Sequence, residues 1–407
     1  MPNPDQSTFS LRDVWFVAYA PAIVSSTGHG AILPVLALRA RELGADVSTA
    51  AVIVAMVAGG MLLASLPAGA LIARIGERNA LLAVGLLDAV AMAVAALTSS
   101  TTALGVAALL DGMAWTVFLM ARQGFMIDMV PMSHRARAMA LMGGSYRVGV
   151  LVGPLLGAGL IELAGIPAVF WLAAALALVS AALTGLMPDL STDARADARD
   201  AGHLSVWSVA RAHWRTLATL GVAVVVLSGT RNLRTSLLPL WADHIGLSAS
   251  TVSLVFAFTA AIDLSFTWPG GWLMDTRGRV VTAVPVALSM AVACLLLPLA
   301  QGVLGLVLVM SVMAVGNGLG SGIVMTMGAD TAPQVGRAQY LGAWRLCGDI
   351  GGSGAPLLVG ALAAVAPLAT AAVTMGVVAL AGTAWVGYWT RRHDQLLIAR
   401  GVRFSRR

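Results

Sequence analysis

Apolar runs about as long as a membrane is thick alternate with short polar segments along the whole chain, at 14–38, 48–73, 80–99, 102–128, 138–163, 167–187, 216–240, 249–274, 280–299, 303–329, 339–364 and 367–389. A helix crosses a hydrocarbon layer about 30 Å thick with about 20 apolar residues. Ala and Leu dominate the runs, and open sheets do not survive in lipid, so the pattern predicts an all-α membrane protein of twelve transmembrane helices. The longest polar stretch, 188–215, opens with Asp189, Asp193, Arg195, Asp197, Arg199 and Asp200, a mixed-charge run that cannot bury itself. It divides the chain into two six-helix bundles, 1–187 and 216–390, and a basic tail follows at 391–407. Within the stretch, Trp207 and Trp214 share one helical face beside Arg211 and Arg215. This suits either a helix lying at the membrane surface or a plain linker with interfacial Trp anchors.

Composition supports the pattern. Of 407 residues 58% are hydrophobic and 11% charged, against roughly a quarter charged in soluble domains. Every basic residue is Arg, and 18 of the 25 fall in the tails or in the loops on one side, with Arg39 and Arg41 on the other. The positive-inside rule then places both termini in the cytoplasm of a multi-pass cell-membrane protein facing an anionic inner leaflet, and nucleic-acid binding is set aside. Cys294 and Cys347 lie singly inside apolar runs, which supports neither a disulfide framework nor a metal cluster. The first run is too long for a signal peptide and is expected to remain as a span.

The halves repeat without a gap. Pro67, Gly69, Leu71 and Gly76 recur 202 residues on as Pro269, Gly271, Leu273 and Gly278. Asp128, Pro131 and Arg135 recur as Asp330, Pro333 and Arg337, and Gly149 and Pro154 as Gly351 and Pro356, at the same offset. What is kept is bends and loop charges, as in the parallel repeat of a transporter.

On these motifs the chain resembles a major facilitator superfamily transporter over essentially its full length, and is similar to the twelve-helix drug:proton antiporter branch. The superfamily's loop between spans 2 and 3 reads Gly-x-x-x-Asp-Arg-x-Gly-Arg-Arg/Lys. Here it is Gly69-Ala-Leu-Ile-Ala73-Arg74-Ile-Gly76-Glu77-Arg78, with Ala where the family has Asp, and the second copy runs Gly271-Trp-Leu-Met-Asp275-Thr-Arg277-Gly278-Arg279. The resemblance implies that Gly69 and Gly271 let helices of opposite halves approach, that Asp275 faces a helix N-terminus, and that Arg74, Arg78, Arg277 and Arg279 hold the loops at the inner leaflet. Span 5 carries Gly149, Gly153, Pro154 and Gly157 in the spacing of the antiporter motif, which implies close packing against the other half and a bend that Pro356 repeats. The Arg that many such antiporters carry on span 4 would fall at Ala108 and is missing.

Ionisable groups inside spans cost about 2.5–3.5 kcal/mol each on insertion scales, so each is a functional candidate. His29, Asp111, Arg147, Arg231, Asp263 and Asp349 fall near the midplane, the layer where such transporters bind cargo. Asp111, Trp115, Phe118 and Arg122 form one stripe on span 4, expected to be an aromatic wall of the central cavity. Asp111 is there either a proton site or a permanent salt-bridge partner, and Asp88 is expected to pair with Arg122. Arg231 and Arg234 share a face of span 7, with His29 opposite them by pseudo-symmetry; together they suit a carboxylate or phosphate, unless Asp263 neutralises one Arg. Arg345 and Asp349 have intrahelical spacing, and Arg147, the repeat equivalent of Asp349, is placed to meet Asp263.

The resulting expectation is a monomeric secondary transporter, not an enzyme, without metal or cofactor. Asp111, Asp263 and Asp349 are its candidates for proton coupling. It is expected to export a small amphipathic or weakly anionic organic molecule in exchange for protons. An importing symporter or uniporter for an organic anion is the alternative, and a non-transporting receptor on the same fold a remoter one.

Overall fold

The computed structural model describes residues 15–65, 67–129, 135–186, 206–333 and 337–399, and among them there is no strand. The first half comprises α1 (Trp15–Ile32), α2 (Leu36–Glu42), α3 (Val47–Ser65), α4 (Pro67–Ile75), α5 (Glu77–Leu97), α6 (Thr101–Met129), α7 (Arg135–Ala164) and α8 (Pro167–Gly185). The second opens with α9 (Val206–Ala212) and α10 (Trp214–Thr216), then a π turn, Leu217–Gly221. It continues with α11 (Val222–His244), α12 (Ala249–Arg277), α13 (Val280–Leu296), α14 (Gly302–Leu319), α15 (Ile323–Thr331), α16 (Arg337–Val365) and α17 (Leu368–Ala399). Among the described residues eleven helices are long and apolar enough to cross a membrane, or twelve with α1 and α2 taken as one span bent by 42°.

Three apolar runs end differently from expectation, each for a local reason. The first breaks at residues 33–35, where Pro34 removes a backbone donor and disfavours helix at the residue before it. The tenth breaks between α14 and α15 at Gly322, whose φ of +87° is a left-handed conformation that only Gly adopts freely. The twelfth runs ten residues past residue 389, because Thr390, His393, Asp394 and Leu397 form a buried face at helical spacing. The tail from 391 is therefore helical as far as Ala399, and 400–407 lie outside the described residues. So does the linker up to residue 205. Beyond it, α9 is a short helix that buries Val209 and exposes Trp207.

The repeat is visible as chemistry. The Asp46 side chain accepts the Thr49 backbone N–H (2.7 Å) at the start of α3, and Ser248 accepts that of Thr251 at the start of α12, each residue 202 from its counterpart. The Thr49 hydrogen bonds hold the Asp46 carboxyl below the usual carboxylate range. Gly76 and Gly278 both turn at positive φ, +85° and +95°.

The second of these turns is held from the far end of the chain. One Asp394 carboxylate oxygen accepts the Arg279 backbone N–H (3.0 Å) and the other that of Val280 (2.9 Å), so the C-terminal helix caps α13. Arg279 in turn donates to Asp330 from Nε (2.9 Å) and Nη2 (3.3 Å), and His393 flanks the same carboxylate. Asp394→Ala should lower stability by about 1–2 kcal/mol, the cost of a lost cap, read as a lower thermal midpoint of the purified protein. An unchanged midpoint would show that the tail helix is not a cap.

Two bundles result, joined where α3 meets α16 and α7 meets α12. At the end bearing Arg41 and Asp243 one buried apolar cluster runs through both, from Leu36 and Val169 to Trp241 and Leu306. Toward the end bearing Gly76 and Gly278 each bundle keeps its own cluster, around Phe125 in the first and Tyr340 in the second. The bundles are thus sealed together at one end of the molecule.

Candidate functional site

At the sealed end Arg41 Nε donates to Asp243 (2.9 Å), and Ser250 on α12 hydrogen-bonds Glu162 on α7. Arg41 and Asp243 occupy equivalent positions of the two halves, 202 residues apart. The pair therefore sits on the pseudo-twofold axis.

Deeper in, between the bundles, α7 and α11 bring three Arg toward one carboxylate. Arg147 Nη1 lies 3.6 Å from Asp263 Oδ1 and donates to Thr267 (2.5 Å), so this contact crosses from one bundle to the other. Arg234 approaches the other Asp263 oxygen at 3.8 Å and donates to Thr259 (2.9 Å), with Phe256 beneath its guanidinium. Asn317 on α14 hydrogen-bonds Asp263 and accepts from Arg231 Nε (2.5 Å), and Arg231 also donates to the backbone carbonyls of Asn317 (3.1 Å) and Gly320 (3.3 Å). Asp263 thus directly contacts Arg147 and Arg234 but reaches Arg231 only through Asn317. Three guanidinium groups face a single carboxylate, which leaves two positive charges uncompensated within the cluster. Burial strengthens both the attraction and the cost of leaving such charges unpaired. Asn317 is the participant that the sequence did not single out; its place 202 residues after Trp115, which packs on the equivalent of Arg231, is the signal that would have found it.

Beside this cluster, Asp349 accepts from Ser65 across the bundles (2.8 Å), and Arg345 lies 3.9 Å away at the i,i+4 position on its own helix. The expected intrahelical pair forms, with a cross-bundle hydrogen bond added.

The span-4 stripe is placed differently from expectation. Asp111, Trp115, Phe118 and Arg122 are all buried, and they face α1 and α5 inside the first bundle rather than an open cavity. His29 does not face the Arg231 pair: its Nδ1 lies 3.3 Å from Asp111 Oδ1, and its ring stacks on Trp115 at 4.2 Å. Nor does Asp88 meet Arg122. Asp88 borders the small cavity lined by Trp115 and Phe118, while Arg122 lies over the Phe118 ring, its Nε and Nη2 buried without partners. The reason is the level at which α5 meets α6: Asp88, Gly85 and Val84 border the same small cavity as Trp115, about two turns of α6 from Arg122. Tyr146, at 5.8 Å from Trp115, precedes Arg147 and joins the two polar groups.

The motif glycines also pack otherwise. An added Cβ at Gly149 would strike Ser26 and Thr27, and one at Gly153 would strike Thr27 and Ala31. Both face α1 of the same bundle, not the other half, and Gly351 repeats the contact against Val225 on α11. Gly69 meets only the end of Met120, Gly271 meets nothing, and the tight approach belongs to Gly270 against Leu319. Pro154 and Pro356 lie inside α7 and α16. Arg78 donates to the Gly185 carbonyl (2.5 Å), tying α5 to the end of α8, while Arg74 and Arg277 are exposed. The Asp275 side chain lies outside the described residues.

Two pseudo-symmetric helical bundles sealed at one end around buried charges define a membrane transporter. The family model of the Major Facilitator Superfamily matches residues 18–356, and the chain belongs to that superfamily. The MFS-type transporter ppzB of Metarhizium rileyi (strain RCEF 4871) is 33% identical over 135 residues, 33% of this chain; the match spans only 28% of that protein's length. Among solved structures, a POT family transporter in complex with 5-aminolevulinic acid superposes with a TM-score of 0.77 at 12% identity, covering 94% of this chain and 96% of that one. A POT family transporter in complex with a thioalcohol-conjugated peptide gives 0.76 at 13%, with the same coverage. At that identity the likeness is one of fold.

Proposed function

We propose that the chain is a proton-coupled secondary active transporter that exports a small amphipathic organic molecule bearing negative charge, by alternating access around the Arg147–Asp263–Arg231–Arg234 cluster. The observation that carries the reading is the surplus of two guanidinium groups over the single Asp263 carboxylate at a contact between the bundles. A carboxylate or phosphate of the cargo supplies the missing charge, and Arg presents paired donors to it. Because Arg147 belongs to one bundle and Asp263 and Arg234 to the other, an anion competing with Asp263 for Arg147 loosens the link that joins them. That gives cargo a differential affinity for two arrangements of the bundles, which alternating access requires. The exchange for protons is supported by carboxyls buried next to this route and by the antiporter-like spacing of α7. With the Arg-rich loops cytoplasmic, the Arg41–Asp243 end is external and the conformation is inward-facing.

A thermal-shift screen of the purified protein against small organic carboxylates and phosphates identifies a binder. Arg231→Ala and Arg234→Ala should each weaken it at least tenfold, about the worth of one charge-assisted hydrogen bond. Accumulation in proteoliposomes should follow an imposed pH gradient. Unchanged affinity in both variants would remove the anion reading, and accumulation indifferent to the gradient would remove the coupling.

A further inference from the structure

A groove of about 610 Å³ lies between α13 and α17, at the end of the molecule bearing Gly278. Its deeper part is apolar. There Val284 of α13 faces Gly387 of α17, whose missing side chain leaves the space open, since a Cβ at Gly387 would come within 3.2 Å of a Val284 methyl. Toward the end of α17 the lining turns polar and basic, with Tyr388, Arg391, Arg392 and Gln395 across from Val280. The aromatic residues of α17 fix the level of this change in the bilayer. Trp389 lies 5.8 Å from Trp385 and 5.2 Å from Tyr388, ring centroid to ring centroid, and both neighbours are exposed. Exposed Trp and Tyr gather where hydrocarbon gives way to headgroups. Arg391 and Arg392 follow Trp389 within one turn, so their charges stand at headgroup level, and Arg392 lies over the Trp389 ring at 5.4 Å.

The charge at this level is unopposed. Residues 391–407 hold six Arg and one acid, Asp394, whose carboxylate is turned inward onto the Arg279 and Val280 backbone N–H groups. Among the described residues neither Arg391 nor Arg392 has an ion-pair partner.

We infer that this groove binds a phospholipid with an anionic headgroup, its phosphate against Arg391 and Arg392 and an acyl chain along Val284 and Gly387. Guanidinium N–H groups, the Gln395 amide and the Tyr388 hydroxyl are donors that phosphate oxygens accept. The attraction of a basic segment beside a span for anionic lipid adds to the contact. A soluble anion would leave the apolar floor uncovered, and a zwitterionic lipid would bring a cation to the same two Arg, so an anionic phospholipid matches the lining better than either. A lipid seated there touches both helices that the Asp394 cap joins, and it holds the tail helix against α13. The site lies away from the charge cluster between the bundles and stands independently of the cargo.

The full-length protein in detergent, titrated with phosphatidylglycerol and followed by native mass spectrometry, should retain the lipid, and its thermal midpoint should rise. The double variant Arg391→Ala/Arg392→Ala should weaken retention about tenfold or more, and Arg391→Lys/Arg392→Lys should recover most of it. Arg215→Ala removes an exposed Arg that lies over Trp214 at 5.8 Å but outside the groove, and it should retain the lipid as the wild type does. Midpoints without lipid verify that each variant folds. Unchanged retention in the double Ala variant, or equal retention of phosphatidylcholine by the wild type, overturns the inference. An equal loss in Arg215→Ala does so too, because it would show diffuse attraction to the basic end rather than a site. A midpoint gain from inorganic phosphate that vanishes in the double Ala variant would make the groove a soluble-anion site and overturn the lipid.

Discussion

Replacing Asp263 with Asn should destabilise the cargo-free protein by about 3 kcal/mol or more, the range found when one partner of a buried ion pair is removed. Arg147 and Arg234 would each lose a charge partner at 3.6 and 3.8 Å, and Asn317, the bridge to Arg231, would face a neutral amide in place of a carboxylate. All three guanidinium groups would then remain among α7, α11, α12 and α14 without a compensating negative charge. The second half of the expectation is opposite in sign. An anionic ligand that binds among the three Arg should raise the thermal midpoint of Asp263→Asn more than it raises that of the wild type, because it meets no competing carboxylate. A variant that melts early and gains less from the ligand would mean that Asp263 helps hold cargo rather than occupying its place.

The second large effect concerns α7. Gly149→Ala and Gly153→Ala should each destabilise by about 1–3 kcal/mol, the cost of overpacking a contact that has no room. A Cβ at Gly149 would come within 2.6 Å of the Thr27 backbone nitrogen, and one at Gly153 within 2.6 Å of that of Ala31. At Gly157, one turn on, the same atom would sit 3.6 Å from the Val169 side chain and 3.8 Å from the Ala31 carbonyl, ordinary contact distances. Gly157→Ala should therefore be neutral or stabilise by up to about 1 kcal/mol through helix propensity. Three thermal midpoints decide the matter, and equal losses at all three positions would contradict the packing described.

Those glycines show what could be read from the chain before its structure. Their spacing announced a close helix contact, because nothing but small residues tolerates one, but spacing carries no information on which helix lies opposite. The twelve spans were legible because every apolar run is long and every loop polar. The bend at Pro34 was not read from the first run, because an unbroken apolar stretch looks the same whether or not it bends, and the extension of α17 was hidden in a polar segment whose buried face appears only once α13 is beside it. The Arg147–Asp263 contact followed from opposite charges at the midplane. The place of Asp88 beside Trp115 did not, since electrostatics alone pairs Asp88 with the nearest Arg, and the packing of α5 against α6 decides otherwise. Trp115 and Phe118 likewise sit on one helical stripe as expected, but the stripe's direction depends on how α6 is rotated against α1.

The Arg41–Asp243 pair bears on how the halves came to differ. A true twofold axis brings a residue against its own copy, so two identical halves would set Arg against Arg or Asp against Asp at this point. Opposite charges there are possible only in a molecule whose halves are no longer interchangeable. Two copies of the first half would repel at Arg41, two copies of the second at Asp243, and only the mixed assembly closes. The contact that seals one end of the transporter thus also records, in a single pair of side chains, the commitment of each half to the other.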